Sequence, residues 1–257
     1  MLAVPNDWRL AAVRIGRSLD RRAGLLVGGE DVERCVELAY FLWCVRSADG
    51  TVVVIDAGFT DRAACDHTIV DYVSPQDALD ELGIDAAMVK TVVITHLHWD
   101  HMGGFESFPS ARFLVARSEW DWTIGRLGDT SRMLDETYDR AGLREIATLH
   151  PSRVELVEDG HTPVPGCRLE VVGGHTPGHT VVRVSTRNGD VALLGDLAYL
   201  SANVSLEVAP MICFDRWRTR DLYGSYRSES LRLVPGHDPA VLDMLDERLS
   251  PTIAIIK

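Results

Sequence analysis

The chain has 257 residues, 46% of them hydrophobic and 25% charged, which excludes a disordered or collagen-like polypeptide and supplies material for a sizeable core. With 26 Lys and Arg against 38 Asp and Glu the formal charge is −12, so polyphosphate is repelled at long range and no nucleic acid is expected. The longest apolar runs, such as Thr51–Ala57, fall far short of a membrane span.

Met1–Trp8 lacks the basic and long apolar regions of a signal peptide, from which a cytoplasmic location is expected. Val36–Val45 and Thr51–Ile55, on either side of Ser47-Ala48-Asp49-Gly50, predict a β-hairpin. A helix is expected over Ser74–Leu82, then strands at Thr91–Thr95 and Arg112–Ala116. Helices follow at Ser118–Ile124 and roughly Thr130–Ile146. Further strands are expected at Val154–Val157, Arg168–Val172, Thr180–Ser185, Asp190–Leu194 and Leu231–Val234, with a closing helix at Ala240–Leu249. Hairpins mixed with helical insertions point to an α+β fold layered around two sheets rather than a doubly wound parallel sheet. The sequence contains no long linker, charge block or short-period repeat, so one domain over residues 1–257 is expected. Five cysteines (Cys35, Cys44, Cys65, Cys167 and Cys213) show no CxxC spacing and an odd count. They read as reduced thiols buried as small hydrophobes, in keeping with a reducing compartment.

The strongest local signal is Thr95-His96-Leu97-His98-Trp99-Asp100-His101, followed by Met102-Gly103-Gly104. His96, His98 and Asp100 occupy alternate positions just past an apolar strand, and His101 follows directly. A loop leaving a strand end can aim such groups into one cavity, and imidazole and carboxylate are the donors that a Zn-, Mn- or Fe-type ion accepts. A solvated polar turn is the alternative. His175 and His179 lie in Gly173-Gly174-His175-Thr176-Pro177-Gly178-His179, Asp196 in Gly195-Asp196, and His237 in Pro235-Gly236-His237-Asp238. Each group stands where an apolar strand ends in a glycine turn. Five histidines and two aspartates suffice for two metal ions if one carboxylate bridges them.

HxHxDH, GHTPGH, GD and PGH, in that order and preceded by Ile55-Asp56-Ala57-Gly58, resemble the metallo-β-lactamase superfamily over about residues 52 to 238. The resemblance implies a four-layer αββα sandwich with a dinuclear site at one edge of the paired sheets. It implies that His96, His98 and His175 hold a first metal, that Asp100, His101 and His237 hold a second, and that Asp196 bridges. Two divalent transition-metal ions are thereby implied, zinc foremost, with Mn, Fe or Co suited to the same donors. Flavodiiron members carry glutamate where His98 stands, and the charge of −12 disfavours the RNA-processing branch.

The HLHxDHxGG block and a tyrosine three residues after the bridging aspartate, Asp196-Leu197-Ala198-Tyr199, resemble N-acyl-homoserine lactonases and related lactone hydrolases. That branch implies opening of a small lactone by a hydroxide shared between two metals. Tyr199 would hydrogen-bond the oxyanion, and Asp100 would pass a proton to the leaving alkoxide. A packed core tyrosine is the alternative for Tyr199, and pure ligation for Asp100. Ser201–Arg227 aligns with no known acyl-chain pocket. A thioesterase or other small-ester hydrolase is the alternative enzyme, and a non-catalytic metabolite-binding protein the alternative outside enzymes. The expected partner is a small lactone or ester, with no membrane and no nucleic acid; a homodimer is left open.

His179 is expected to support the site rather than ligate, and Asp56 to orient a metal-loop histidine or backbone amides, a simple turn-forming aspartate being equally open. His67, His150 and His161 read as ordinary surface or turn residues. Trp99, Met102, Trp120, Trp122 and Phe214 are candidates for an apolar substrate cleft, with core packing open for Trp120 and Trp122. Arg216, Arg218 and Arg220 around Trp217 read as a basic patch on a solvated surface, with a carboxylate-binding arm as the minor option.

Overall fold

Runs of Val and Ile that are apolar on both faces need cover on both sides, and the architecture supplies it. The computed structural model describes residues 8–22, 26, 34–128 and 137–257. Strand β1 (Leu10–Arg22) pairs antiparallel with β2 (Cys35–Arg46), which turns back into β3 (Val52–Ile55). Strands β4 (Thr91–Ile94), β5 (Arg112–Ala116) and β6 (Val154–Val157) then add in parallel. A second sheet contains β7 (Cys167–Val171), β8 (Thr180–Thr186), β9 (Gly189–Leu193) and β10 (Arg232–Val234), with β9 and β10 parallel. Strands β11 (Glu247–Arg248) and β12 (Ile253–Ile256) return to the first sheet beside β1, completing the order β11-β12-β1-β2-β3-β4-β5-β6.

Alternation along these strands sorts the side chains into layers. Phe41, Trp43, Val53, Ile55 and Val93 face Val182, Val184, Val191 and Leu193 across the gap between the sheets. The opposite face of the large sheet, including Leu42, Val54, Val92 and Phe113, is covered by helices. Contributors are α1 (Asp61–Asp66), α2 (Pro75–Asp80), α4 (Arg117–Ile124) and α5 (Arg140–Thr148), with the short α3 (Trp99–Met102) between α2 and α4. On the outer face of the small sheet, Tyr223 and Tyr226 pack over Val181 and Ala192. They belong to α7 (Arg216–Ser228), which follows α6 (Ser201–Leu206). Helix, sheet, sheet, helix is the αββα order expected from the resemblance. Among the described residues no helix is long and apolar enough to cross a membrane.

Several elements differ from expectation. The helix expected at Ala240–Leu249 is confined to α8 (Val241–Met244), because Glu247 and Arg248 pair with Ile255 and Ala254 instead. Helix α2 is shorter than Ser74–Leu82: Ser74 caps its start, and the chain turns at Leu82 and Gly83. Of the helix expected over Thr130–Ile146, residues 130–136 lie outside the described residues; the helix observed runs Arg140–Thr148. Arg216, Arg218 and Arg220 sit on α7, so Arg216 and Arg220 share a face and Arg218 does not. All five cysteines are free; Cys44 and Cys167 are buried as expected, whereas Cys35 and Cys65 are exposed.

Candidate metal centre and its cavity

The parallel strands deliver their C-terminal ends to one edge of the sandwich. Past β3 comes Asp56, past β4 Thr95 and His96, past β9 Asp196, and past β10 His237. His98 caps α3, which carries Asp100 and His101, so the HxHxDH segment is a strand end running into one helical turn rather than an open loop. Donor atoms of His96, His98, His175 and Asp196 form one cluster, and those of Asp100, His101 and His237 a second, each within 4.8 Å.

In the first cluster His96 Nε2 and His175 Nε2 lie 3.0 and 3.1 Å from His98 Nδ1. Asp196 Oδ2 lies 3.4 Å from His175 Nε2 and 3.7 Å from His96 Nε2. In the second, His237 Nε2 and His101 Nε2 lie 2.9 and 3.0 Å from Asp196 Oδ1. Asp100 Oδ2 is 3.6 and 3.5 Å from the same two nitrogens. Asp196 therefore turns one oxygen to each cluster. A tetrahedral ion with bonds of about 2.0–2.1 Å sets its donors about 3.3 Å apart, so both clusters fit such an ion.

The remote ring nitrogens support this reading. His175 Nδ1 is 2.9 Å from the Ile212 carbonyl and His237 Nδ1 3.0 Å from that of Ala39, so each Nδ1–H donates outward and each Nε2 lone pair points inward. Asp56 takes His101 Nδ1 at 2.7 Å, while its other oxygen accepts from the Thr95 amide at 2.8 Å. Both roles foreseen for Asp56 are thus realised together. His101 Nε2 is buried with no hydrogen-bond partner, an orphan that a cation would satisfy. Burial pushes His96 and His175 well below the ordinary imidazole range and His98 down to about 4, leaving three neutral donors. Burial acts the same way on His101, but the Asp100, Asp196 and Asp56 carboxylates overcome it and hold His101 well above that range. Such a ring of carboxylates favours positive charge, and a divalent ion supplies it.

A family model described as the metallo-beta-lactamase superfamily matches residues 32–249. The chain belongs to that superfamily. By that membership it is a metal-dependent hydrolase. Relatives similar in sequence include an N-acyl homoserine lactonase of a Bacillus species, 30% identical over 191 residues, covering 68% of this chain and 70% of its own. The N-acyl homoserine lactonase AttM of Rhizobium radiobacter is 29% identical over 177 residues, 63% of either chain. In fold the chain resembles a quorum-quenching N-acyl homoserine lactone lactonase, with TM-score 0.71 at 21% identity over 93% of this chain and 94% of the other. The dizinc quorum-quenching lactonase AidC gives TM-score 0.72 at 16% identity over 90% and 87%.

In this metallo-beta-lactamase domain the clusters are braced from behind. Glu119, fully buried on α4, accepts from the Leu97 amide at 3.0 Å, from Thr176 Oγ1 at 2.6 Å and from the Gly178 amide at 3.1 Å. It ties the segment holding His96 and His98 to the one holding His175. Gly178 is required there, since a Cβ would stand 2.1 Å from the Glu119 nitrogen. His179 lies outside both clusters; its Nε2 is 2.9 Å from the Leu194 carbonyl, the supporting position expected of it.

A cavity of about 390 Å³ opens beside the clusters. Tyr199 lines it, its ring 5.4 Å from that of His237 and 5.9 Å from that of His175. Burial and the nearby carboxylates push that phenol well above its ordinary range, so it stays a donor. Several lining residues escaped the sequence reading, among them Tyr40, Arg21, Arg22 and His67. His67 is not an ordinary surface residue, for its ring stacks on Trp99 at 3.8 Å and 4°. Of the candidate cleft aromatics, Trp99 lines the cavity, whereas Met102 and Trp120 are buried in the core beneath the helices. Trp122 packs on Phe214, which is exposed.

Proposed function

We propose that this hydrolase opens a small lactone, an N-acyl homoserine lactone or close relative, through a dinuclear metal site within one domain over residues 1–257. The carrying observation is the divided donor set, with Asp196 turned to both clusters and the Tyr199 phenol beside it on the cavity wall. His96, His98 and His175 would hold one ion and Asp100, His101 and His237 the other, with Asp196 offering one oxygen to each; zinc suits these donors. The two ions when bound supply Lewis acidity and lower the pKa of water. The names of the sequence relatives favour a lactone over other esters.

The protein's own groups complete the reaction. Water adds to the lactone carbonyl carbon, the ring C–O bond breaks, and a hydroxy acid results. Tyr199 donates to the carbonyl oxygen as negative charge grows on it. Asp100, which belongs to the second cluster and lines the cavity, takes the proton released by the attacking water and delivers it to the leaving ring oxygen. Trp99, stacked on His67, forms the wall against which the ring lies. The test is acid release from a panel of acyl-homoserine lactones, aromatic lactones and thioesters, with and without chelator. Chelator-sensitive turnover of lactones supports the proposal; turnover of thioesters alone replaces it with the thioesterase alternative.

A further inference from the structure

Strand β1 does not pair regularly with β2. Ser18 lies opposite Leu38 and Arg21 opposite Val36, so β1 spends three steps where β2 spends two. The extra residue is a β-bulge, and such bulges re-aim side chains beside functional sites. Without it Asp20 would stand opposite Val36, on the face that carries Leu38 and Tyr40. With it Asp20 is exposed to solvent and Arg21, followed by Arg22, enters the cavity wall. The irregularity exchanges an anion for a cation at this end of the cavity.

Arg21 is held there by neutral groups. Its Nε donates to Ser18 Oγ at 2.8 Å and its Nη2 to the His67 carbonyl at 3.3 Å. Among the described residues no carboxylate lies in ion-pair distance of it, whereas Arg17, four residues earlier, has both Glu37 and Asp71. A guanidinium offers five donors in a planar fork, and two neutral acceptors leave, among the described residues, part of that fork open and its charge without a carboxylate partner. The carboxylates lining the cavity, Asp100 and Asp196, are committed to the metal clusters. Leu26 and Leu38 line the same cavity as Arg21.

We propose that Arg21 forms an anion subsite, so that the preferred substrates are lactones or esters whose acyl arm is a short apolar spacer ending in a carboxylate. The proposal rests on the hydrolase reading of the clusters. The reacting carbonyl sits at the clusters, the spacer lies along Leu26 and Leu38, and the terminal carboxylate takes the free part of the Arg21 fork. The bulge makes this a property of the backbone, since it sets Arg21 rather than Asp20 opposite Val36.

The test uses two matched ring-opened compounds, N-succinyl-homoserine and N-butanoyl-homoserine, which differ in a terminal carboxylate against a methyl. Calorimetric titration of the metal-loaded protein should show the succinyl compound binding at least about tenfold tighter, consistent with a charge-assisted contact. Arg21→Met should abolish that preference, Arg21→Lys should keep part of it, and Arg21→Glu should reverse it. Melting temperature checks that each variant is folded, and the Lys and Glu variants keep the test sharp if Met is not. Equal binding of the two compounds, no binding of either, or an unchanged preference in Arg21→Met overturns the subsite. Turnover of the two parent lactones is read separately. A binding preference without lactone turnover overturns the lactonase reading and leaves the subsite standing; turnover without preference does the reverse.

Discussion

Asp56 places one carboxylate oxygen 2.7 Å from Nδ1 of His101, from a backbone held in the left-handed region at φ 62°. Aspartate tolerates that conformation better than most residues, because its short side chain can bond locally. Here it bonds Thr95, at the end of the neighbouring strand, and fixes which nitrogen of His101 carries the proton. Asp56→Asn should weaken the second ion's affinity about 10–100-fold while the first ion binds nearly as before. Stepwise competition with a chromophoric chelator measures both affinities.

Glu119 performs the corresponding task for the first cluster, by holding two histidine segments at once. Glu119→Ala leaves the Leu97 and Gly178 amides and the Thr176 hydroxyl without their acceptor in a buried place. A loss of about 3 kcal/mol is expected, since each unsatisfied buried donor costs roughly 1–3 kcal/mol and some relax. Gly178→Ala should cost a similar amount by overpacking against the Glu119 backbone, about 1–3 kcal/mol. Urea unfolding of both variants gives the numbers, and metal content shows whether the histidines stay in place.

His175 and His179 stand four residues apart in one motif, yet they have different surroundings. His175 belongs to the first cluster, and His179 bonds the Leu194 carbonyl behind it. Elemental analysis should find the first ion lost in His175→Ala and both ions largely retained in His179→Ala. Equal loss from the two variants would place His179 among the ligands.

Tyr199→Phe removes one hydroxyl. If the phenol stabilises the growing oxyanion, kcat and kcat/KM should fall together by about 10²–10³, with KM nearly constant. Metal content and Tm should stay near those of the parent. A purely packing role would lower Tm and leave the turnover of the folded fraction intact.

The clusters were legible because their donors sit at strand ends, where an apolar run followed by His, Asp and Gly reports the geometry locally. The strands themselves were legible as β-branched runs. Relationships between distant segments were not. Glu119 read only as a helix residue, since its partners lie 22 and 57 positions away. His67 gives no hint of Trp99, and Arg21 enters the cavity only through a bulge that no alternation pattern announces. Strand β1 escaped notice because Arg14, Gly16, Arg17 and Ser18 break its alternation; pairing with β2 and β12 on its two edges holds it extended nevertheless. At the end of the chain, Arg232 holds Asp246 at 2.7 Å just past α8, and Glu247 and Arg248 pair with β12 instead of extending that helix.

The most direct measurement of the central claim is acid release from N-butanoyl-homoserine lactone while metal-stripped protein is titrated with zinc. The account predicts no turnover without metal, a rise as zinc is added, and a plateau at about two equivalents per chain, as two donor clusters sharing Asp196 require. Full activity in excess chelator, or no acid release at any zinc loading, would contradict it.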